Sequence, residues 1–174
     1  RISMFDNRFF LIGAVRYDKR EGDTTLITTA GGETTTPQNS AEWTTKFGAL
    51  YKVVSGDAGE ASIFYNRGET FIPEFRTSGK LADFGARFPN RIASTNEIGA
   101  KLNLWGSRVV ATMSYFDNEE TNYLQGFADL DGSVTGLVDG FFRLPVGTRT
   151  TEGFEIDVAV SPRPGLDFLF SWGT

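Results

Sequence analysis

Residues 95–104 read Thr95-Asn96-Glu97-Ile98-Gly99-Ala100-Lys101-Leu102-Asn103-Leu104. Glu97, Gly99, Lys101 and Asn103 share one parity; Ile98, Ala100, Leu102 and Leu104 share the other. This two-residue period predicts a strand with one polar and one apolar face. Trp105-Gly106-Ser107 predicts a tight turn, after which Val109, Ala111, Met113 and Tyr115 alternate with Val110, Thr112, Ser114 and Phe116. The second run ends at Asp117, where a long polar segment begins. Two strands of about ten residues, joined by a tight turn and followed by a long loop, make up the repeat unit of an up-and-down outer-membrane β-barrel.

The unit recurs outward in both directions. Residues 2–5 predict a short strand remnant and 8–18 a second strand, whose alternation is the poorest in the chain. Residues 42–54 set Thr45, Phe47, Ala49, Tyr51 and Val53 against Thr44, Lys46, Gly48, Leu50 and Lys52. Residues 61–69 place Ile63 and Tyr65 opposite Ser62, Phe64 and Asn66. Towards the C-terminus, Phe154, Ile156, Val158 and Val160 oppose Gly153, Glu155, Asp157 and Ala159. Pro162-Arg163-Pro164-Gly165 then turns the chain into a last strand at 166–172. Connections alternate strictly in length. Short turns fall near residues 6, 57, 106 and 163, and long polar loops at about 19–41, 70–93 and 118–147. A membrane barrel sorts its loops this way, short inside and long outside.

Charge placement agrees. Lys46, Lys52, Glu97, Lys101, Glu155, Asp157 and Asp167 all lie opposite the apolar face. A lysine or arginine facing lipid at mid-bilayer costs about 2–4 kcal/mol, which keeps that parity clean. Arg67, Glu69 and Glu152 break it, and each lies towards a strand end beside a long loop. Tyr17, Tyr65, Tyr115, Phe154 and Trp172 fall outward near the long loops, and Tyr51 and Trp105 near the short turns, as two interfacial girdles. A soluble antiparallel sheet with one wet face also alternates. Its strands are shorter, however, and loops of more than about twenty residues are rare in compact soluble domains.

Composition narrows the chemistry. The chain of 174 residues has no Cys and no His, which removes disulfides, thiol nucleophiles, the commonest general base and the commonest transition-metal ligand. With no Gly-rich phosphate loop after a strand either, no catalytic residue is assigned and an enzyme is not expected. The net charge of −5 argues against a nucleic-acid partner. No apolar run reaches the roughly 18 residues of a spanning helix. No signal peptide opens the sequence, and both ends read as interrupted strands.

Four stretches, in order, resemble one family. Gly13-Ala14-Val15-Arg16-Tyr17-Asp18 is similar to a "G-[LV]-R-Y-D" strand end. Phe88-Pro89-Asn90 through Asn96-Glu97-Ile98-Gly99-Ala100-Lys101-Leu102-Asn103 resembles an "E-[IV]-G-x-K" strand, with Ala111, Tyr115-Phe116-Asp117 and Asn122 in the strand after it. Gly153-Phe154-Glu155-Ile156-Asp157 with Pro162-Arg163-Pro164-Gly165-Leu166 resembles a "G-x-E-[IV]-[ED]…P-x-x-G-L" hairpin. These motifs are similar to those of TonB-dependent outer-membrane receptors, with the greatest likeness to the ferric-siderophore branch. The resemblance implies an all-β, antiparallel barrel of about 22 strands in the bacterial outer membrane. This chain, residues 1–174, would supply about eight of them and no plug domain. It implies active, TonB-coupled import of an iron–siderophore complex, with the TonB complex engaged through the missing plug. Other branches carry cobalamin, haem or glycans. A passive porin or small structural barrel is the alternative, and a soluble β-sandwich binding module a third reading.

Residues 67–91 offer the ligand-contact candidates. Arg67, Arg76, Lys80, Arg87 and Arg91 stand against Glu69, Glu74 and Asp83, with Phe71, Phe75, Phe84 and Phe88 interleaved. Guanidinium groups grip carboxylate, hydroxamate or catecholate oxygens, and the rings cover an apolar scaffold. Arg67, Phe71, Phe75, Arg76, Arg87 and Arg91 are the expected contacts. The alternative is a solvated loop touching lipopolysaccharide phosphates or neighbouring acids. Asp129-Leu130-Asp131-Gly132-Ser133 hints at a calcium loop, but Gly140 occupies the position of the bidentate Glu, so an Asp-Gly turn is expected and no metal site.

Overall fold

The structure is a computed structural model that describes residues 2–27, 32–74, 88–136 and 138–174. Its strands are β1 (Ile2–Met4), β2 (Phe9–Ile27), β3 (Glu33–Gly56), β4 (Gly59–Ile72), β5 (Arg91–Leu104), β6 (Val109–Glu120), β7 (Leu124–Asp129), β8 (Gly140–Pro145), β9 (Arg149–Arg163) and β10 (Leu166–Gly173). Eight form one antiparallel sheet in the order β1-β2-β3-β4-β5-β6-β9-β10, and β7 and β8 pair separately as a hairpin. Every strand of the large sheet lies beside its neighbour in the chain, with the β7–β8 hairpin set aside. This is a meander that does not close on itself among the described residues.

The register decides which residues share a face. Tyr65 stands opposite Ile98, Ile98 opposite Tyr115, and Tyr115 opposite Phe154. Directly paired residues share a face, so the apolar parity of every strand merges into one surface. The girdle near the long loops is assembled from cross-strand ring pairs. Tyr17 and Trp43 have centroids 4.8 Å apart, Tyr115 and Phe154 4.9 Å, and Phe47 and Tyr65 6.5 Å. Trp43, which the sequence analysis did not single out, joins the girdle because it is paired with Tyr17.

The charges that break parity are accommodated at that rim. Glu69 accepts hydrogen bonds from the Thr45 backbone N–H at 3.0 Å and its hydroxyl at 2.7 Å, and Arg67 lies 4.0 Å from Glu69. Tyr115 donates its phenol to Glu152 at 2.5 Å, and Tyr65 donates to Asn96 at 3.0 Å. Each rim carboxylate thus has a donor on an adjacent strand, where ring bodies face lipid and polar tips face the headgroups.

The ladders run farther than the alternation predicts. Residues 19–41 were expected as an irregular loop. Instead β2 and β3 stay in register from Phe9↔Tyr51 to Ile27↔Glu33, so this connection is a long hairpin. Beyond the girdle neither face meets lipid, so nothing selects alternation, yet backbone pairing continues. Thr-rich sequence (Thr24, Thr25, Thr34, Thr35, Thr36) suits a strand. Pro37 is tolerated because β4 pairs with β3 only from Lys46 onward. Likewise the stretch 118–147 is not irregular throughout: β6 continues to Glu120, and β7 and β8 form a hairpin within it.

The polar face is levelled by glycines set opposite large side chains. Phe64 pairs with Gly99, Phe116 with Gly153 and Ile12 with Gly48. A Cβ on Gly99 would stand 2.6 Å from the Phe64 ring, one on Gly153 2.8 Å from Phe116, and one on Gly48 2.8 Å from Ile12. The ring of Phe64 therefore lies down across its neighbour, with 6% exposure. In the protein, Gly99→Ala should cost about 1–3 kcal/mol by overpacking. Gly13→Ala, with nothing within 4 Å of its added carbon, should be nearly neutral. Denaturant unfolding of the refolded protein in detergent checks both, and equal midpoints would refute the account.

Candidate ligand-binding site

β4 loses β3 as a partner after Gly68 but stays paired with β5 to Ile72. Ser40 and Thr44, on the polar face of β3, are 5% and 3% exposed although no ladder strand covers them. Ser40 donates its hydroxyl to Asn90 Oδ1 at 2.6 Å, from the descending limb of the second long loop. Phe71 and Pro73 of the ascending limb close a hollow with Arg16, Asp18, Lys19 and Arg20 of β2. Both limbs of this loop thus fold over the inner wall at the mouth, and Phe71, Glu74 and Phe88 are buried there.

Arg91 ties the base of the loop. Its Nη1 donates to Glu120 at 2.6 Å, and its Nε lies 3.7 Å from the buried Glu74. Asn122 donates to the Asn90 carbonyl at 2.8 Å and the Thr121 N–H to the Ile92 carbonyl at 2.9 Å. The start of the loop, its end and the end of β6 therefore meet at one guanidinium.

The six sequence-derived contacts separate on this framework. Arg91 lies on the inward parity, whereas Phe71, paired with Ile92, has the outer parity of Ile98 and lines a hollow with β2 residues. Arg67 pairs with Phe47 and Asn96 on the outer parity at the rim and also borders the lower hollow described below, which Arg91 does not line. Phe75, Arg76 and Arg87 lie outside the described residues. The sequence analysis missed Arg16 and Arg20, which sit in the strand with the weakest alternation. Their register partners Thr44 and Ser40 mark them as inward.

Lower on the same wall, Ile12, Ala14, Lys46, Asn66, Gly68, Thr70, Thr95 and Glu97 line a hollow of about 420 Å³, with Phe47 and Arg67 at its edge. Asn66 donates to Glu97 at 3.2 Å, and Lys101 Nζ lies 4.9 Å from the Phe64 ring centroid. Lys52 bonds Glu60 at 2.6 Å. These inward charges thus contact neighbours on adjacent strands: an amide for Glu97, a ring for Lys101 and a carboxylate for Lys52. At the β7–β8 tip, Asp129 caps the turn, accepting from the backbone N–H groups of Val134 and Thr135 at 3.0 and 2.6 Å and from the Thr135 hydroxyl at 2.8 Å. The Ser133 backbone N–H, followed by the Ser133 hydroxyl and Asp129, holds the Asp131 carboxyl below its ordinary value. These acids are spent on a turn, the role expected of Asp-Gly.

A meander with one lipid face, one polar face and long connections on one side matches, over residues 1–174, the family model described as TonB dependent receptor-like, beta-barrel. The chain belongs to the TonB-dependent receptor β-barrel family. This is an outer-membrane transport family, so the apolar face is the lipid face and the polar face lines the lumen. Among solved structures the chain is similar to a double mutant of the Serratia marcescens hemophore receptor HasR in complex with its hemophore HasA and heme. The TM-score is 0.64 at 15% identity, over 98% of this chain and 32% of that one. The chain therefore spans about a third of the length of that receptor, and the likeness is one of fold. No curated protein matches it.

Arg91→Ala in the full-length receptor should leave Glu74 buried beside an empty space. It should lower stability by about 1–3 kcal/mol, discounted from a fully buried pair because Arg91 and Glu120 are partly exposed. Limited proteolysis should then cut more readily between residues 74 and 91, and an unchanged cleavage rate would show that Arg91 does not hold the loop.

Proposed function

We propose that this chain is part of the barrel of a TonB-coupled receptor that imports an iron–siderophore complex across the bacterial outer membrane. The observation that carries the reading is the second long loop. Its segment 67–91 holds five basic against three acidic residues in a chain of net charge −5. Both of its described limbs bend over the lumen rather than away from it. Arg76 and Arg87, with Phe75, are the contacts to an anionic chelate, and Arg91 positions them. The plug and the TonB contact are supplied by the rest of the protein, and the girdle contacts lipid and lipopolysaccharide. The similar HasR structure holds heme, an iron ligand, which supports an iron-bearing cargo for this architecture.

Cells making the full-length receptor should accumulate radiolabelled iron from ferric siderophores, and should stop when energy coupling is abolished. Arg76→Ala with Arg87→Ala should reduce receptor affinity about tenfold or more, since a hydrogen bond to a charged group contributes about 1.5–3 kcal/mol. Uptake that continues without energy coupling, together with high ion conductance in planar bilayers, would favour the passive pore instead.

A further inference from the structure

We infer that the outer face of β2–β5 carries a seat for one molecule of lipid A, the phosphorylated, acylated anchor of lipopolysaccharide. One phosphate sits on Arg67, and one acyl chain fills a depression over Ala49. The inference deepens the lipopolysaccharide contact proposed for the girdle and rests on it.

The depression follows from the register. Ala49 pairs with Leu11 and Tyr65, and Tyr65 with Ile98. In the next row of the same parity, Tyr51 pairs with Phe9 and Ile63. A methyl group therefore stands among rings and branched chains, and the face is dented there. The dent is a hollow of about 180 Å³ among Phe9, Ala49, Tyr51, Ile63, Tyr65 and Ile98, with the inward-parity Leu50 and Phe64 at its edge. Its lining is apolar and it opens on the lipid face, so the membrane supplies its occupant as a hydrocarbon chain.

The headgroup end lies directly above. Arg67 is two residues beyond Tyr65 on β4, about 7 Å nearer the long loops and hence at the outer leaflet. Its Nη2 lies 4.0 Å from Glu69 Oε1, while Glu69 Oε2 accepts from Thr45 on the outer parity. The guanidinium charge is therefore outside the wall. A 4.0 Å separation exceeds a hydrogen bond, so Glu69 offsets part of the charge without occupying the guanidinium donors. With its side chain 52% exposed, Arg67 presents its fork to a phosphate, which it matches in a bidentate pair. Tyr65 joins the two ends: its ring walls the hollow and its hydroxyl donates to Asn96 at the polar level. The acids of the Arg67 row, Asp117 and Glu152, are two and three strands away, about 10 and 14 Å, so the phosphate approaches from the β3–β4 side.

The test uses the full-length receptor, purified in detergent and stripped of lipopolysaccharide. Purified lipid A is titrated in, and bound lipid is counted by native mass spectrometry. Arg67→Ala should weaken binding about tenfold or more, because hydrogen bonds to a charged group are lost. Arg67→Lys, which keeps the charge but not the fork, should fall between. Ala49→Phe should weaken binding about twofold to fivefold, since detergent also accepts the chain and only packing contacts are lost. Dephosphorylated lipid A should bind the wild type and Arg67→Ala equally weakly. Both positions face outward, and the heat-modified gel mobility of the folded barrel verifies that the variants fold. Equal affinity of the wild type and Arg67→Ala overturns the phosphate site, and a wild type that holds no lipid A overturns the whole seat. Phosphatidylglycerol bound as tightly as lipid A overturns the assigned lipid. Iron import is read separately, by energy-dependent uptake of radiolabelled iron, so its failure is distinguishable from that of the seat.

Discussion

In hydrocarbon no water is available to an exposed N–H or C=O, so every backbone polar group crossing the membrane must be paired inside the wall. An antiparallel meander meets that demand strand by strand, and everything else in this chain follows from how its ladder is registered. A slip of one residue between β5 and β6 would bring Lys101 and Glu97 to lipid and Ile98 to the lumen. The lipid penalty therefore holds the register at mid-strand, and the pairs Ile98↔Tyr115 and Ala100↔Met113 are its consequence. The same argument explains why charges appear on the outer face only where Thr45 and Tyr115 supply donors, at the level where lipid gives way to headgroups.

The inner wall answers a different demand. Phe64 and Phe116 face the lumen, where apolar surface would ordinarily be a liability. Laying each ring over a directly opposed glycine removes most of it from water without a second layer of structure. The device works only because the glycine lacks a Cβ, so the glycines of the E-[IV]-G-x-K and G-x-E-[IV] stretches carry a packing role. Their alternation with charged residues also leaves Glu97, Lys101 and Glu155 standing clear on either side of a lowered surface.

Much of this was legible in the sequence, because lipid on one side and water on the other impose a two-residue period that a linear reading detects. The strands around Glu97–Tyr115 and Phe154–Val160, the parity of their charges and the alternation of short and long connections all follow from that imposed contrast. Where the contrast ends, so does the signal. Residues 19–27 and 33–41 remain paired, but their sequence is mostly polar on both parities, and a polar strand there is indistinguishable from a polar loop. Arg16 and Arg20 were missed for a related reason. Their strand carries Phe9, Phe10, Leu11 and Ile12 in an unbroken apolar run, so its inward side is visible only through pairing with Thr44 and Ser40. Trp43 entered the girdle by the same route, through Tyr17.

The fate of Arg91 shows how energy divides roles at the mouth. By residue type alone it is as good an anion contact as Arg76 or Arg87. To reach a ligand it would have to leave Glu120 and move away from Glu74, which is 5% exposed. Removing one partner of a buried ion pair costs about 3–5 kcal/mol, more than the roughly 1.5–3 kcal/mol that one hydrogen bond to a charged ligand returns. Even after a discount for partial exposure the exchange does not favour release, so Arg91 stays with its carboxylates and acts as the fixed point of the loop. Because Glu120 ends β6 and Asn122 holds Asn90, that fixed point joins the second long loop to the start of the third.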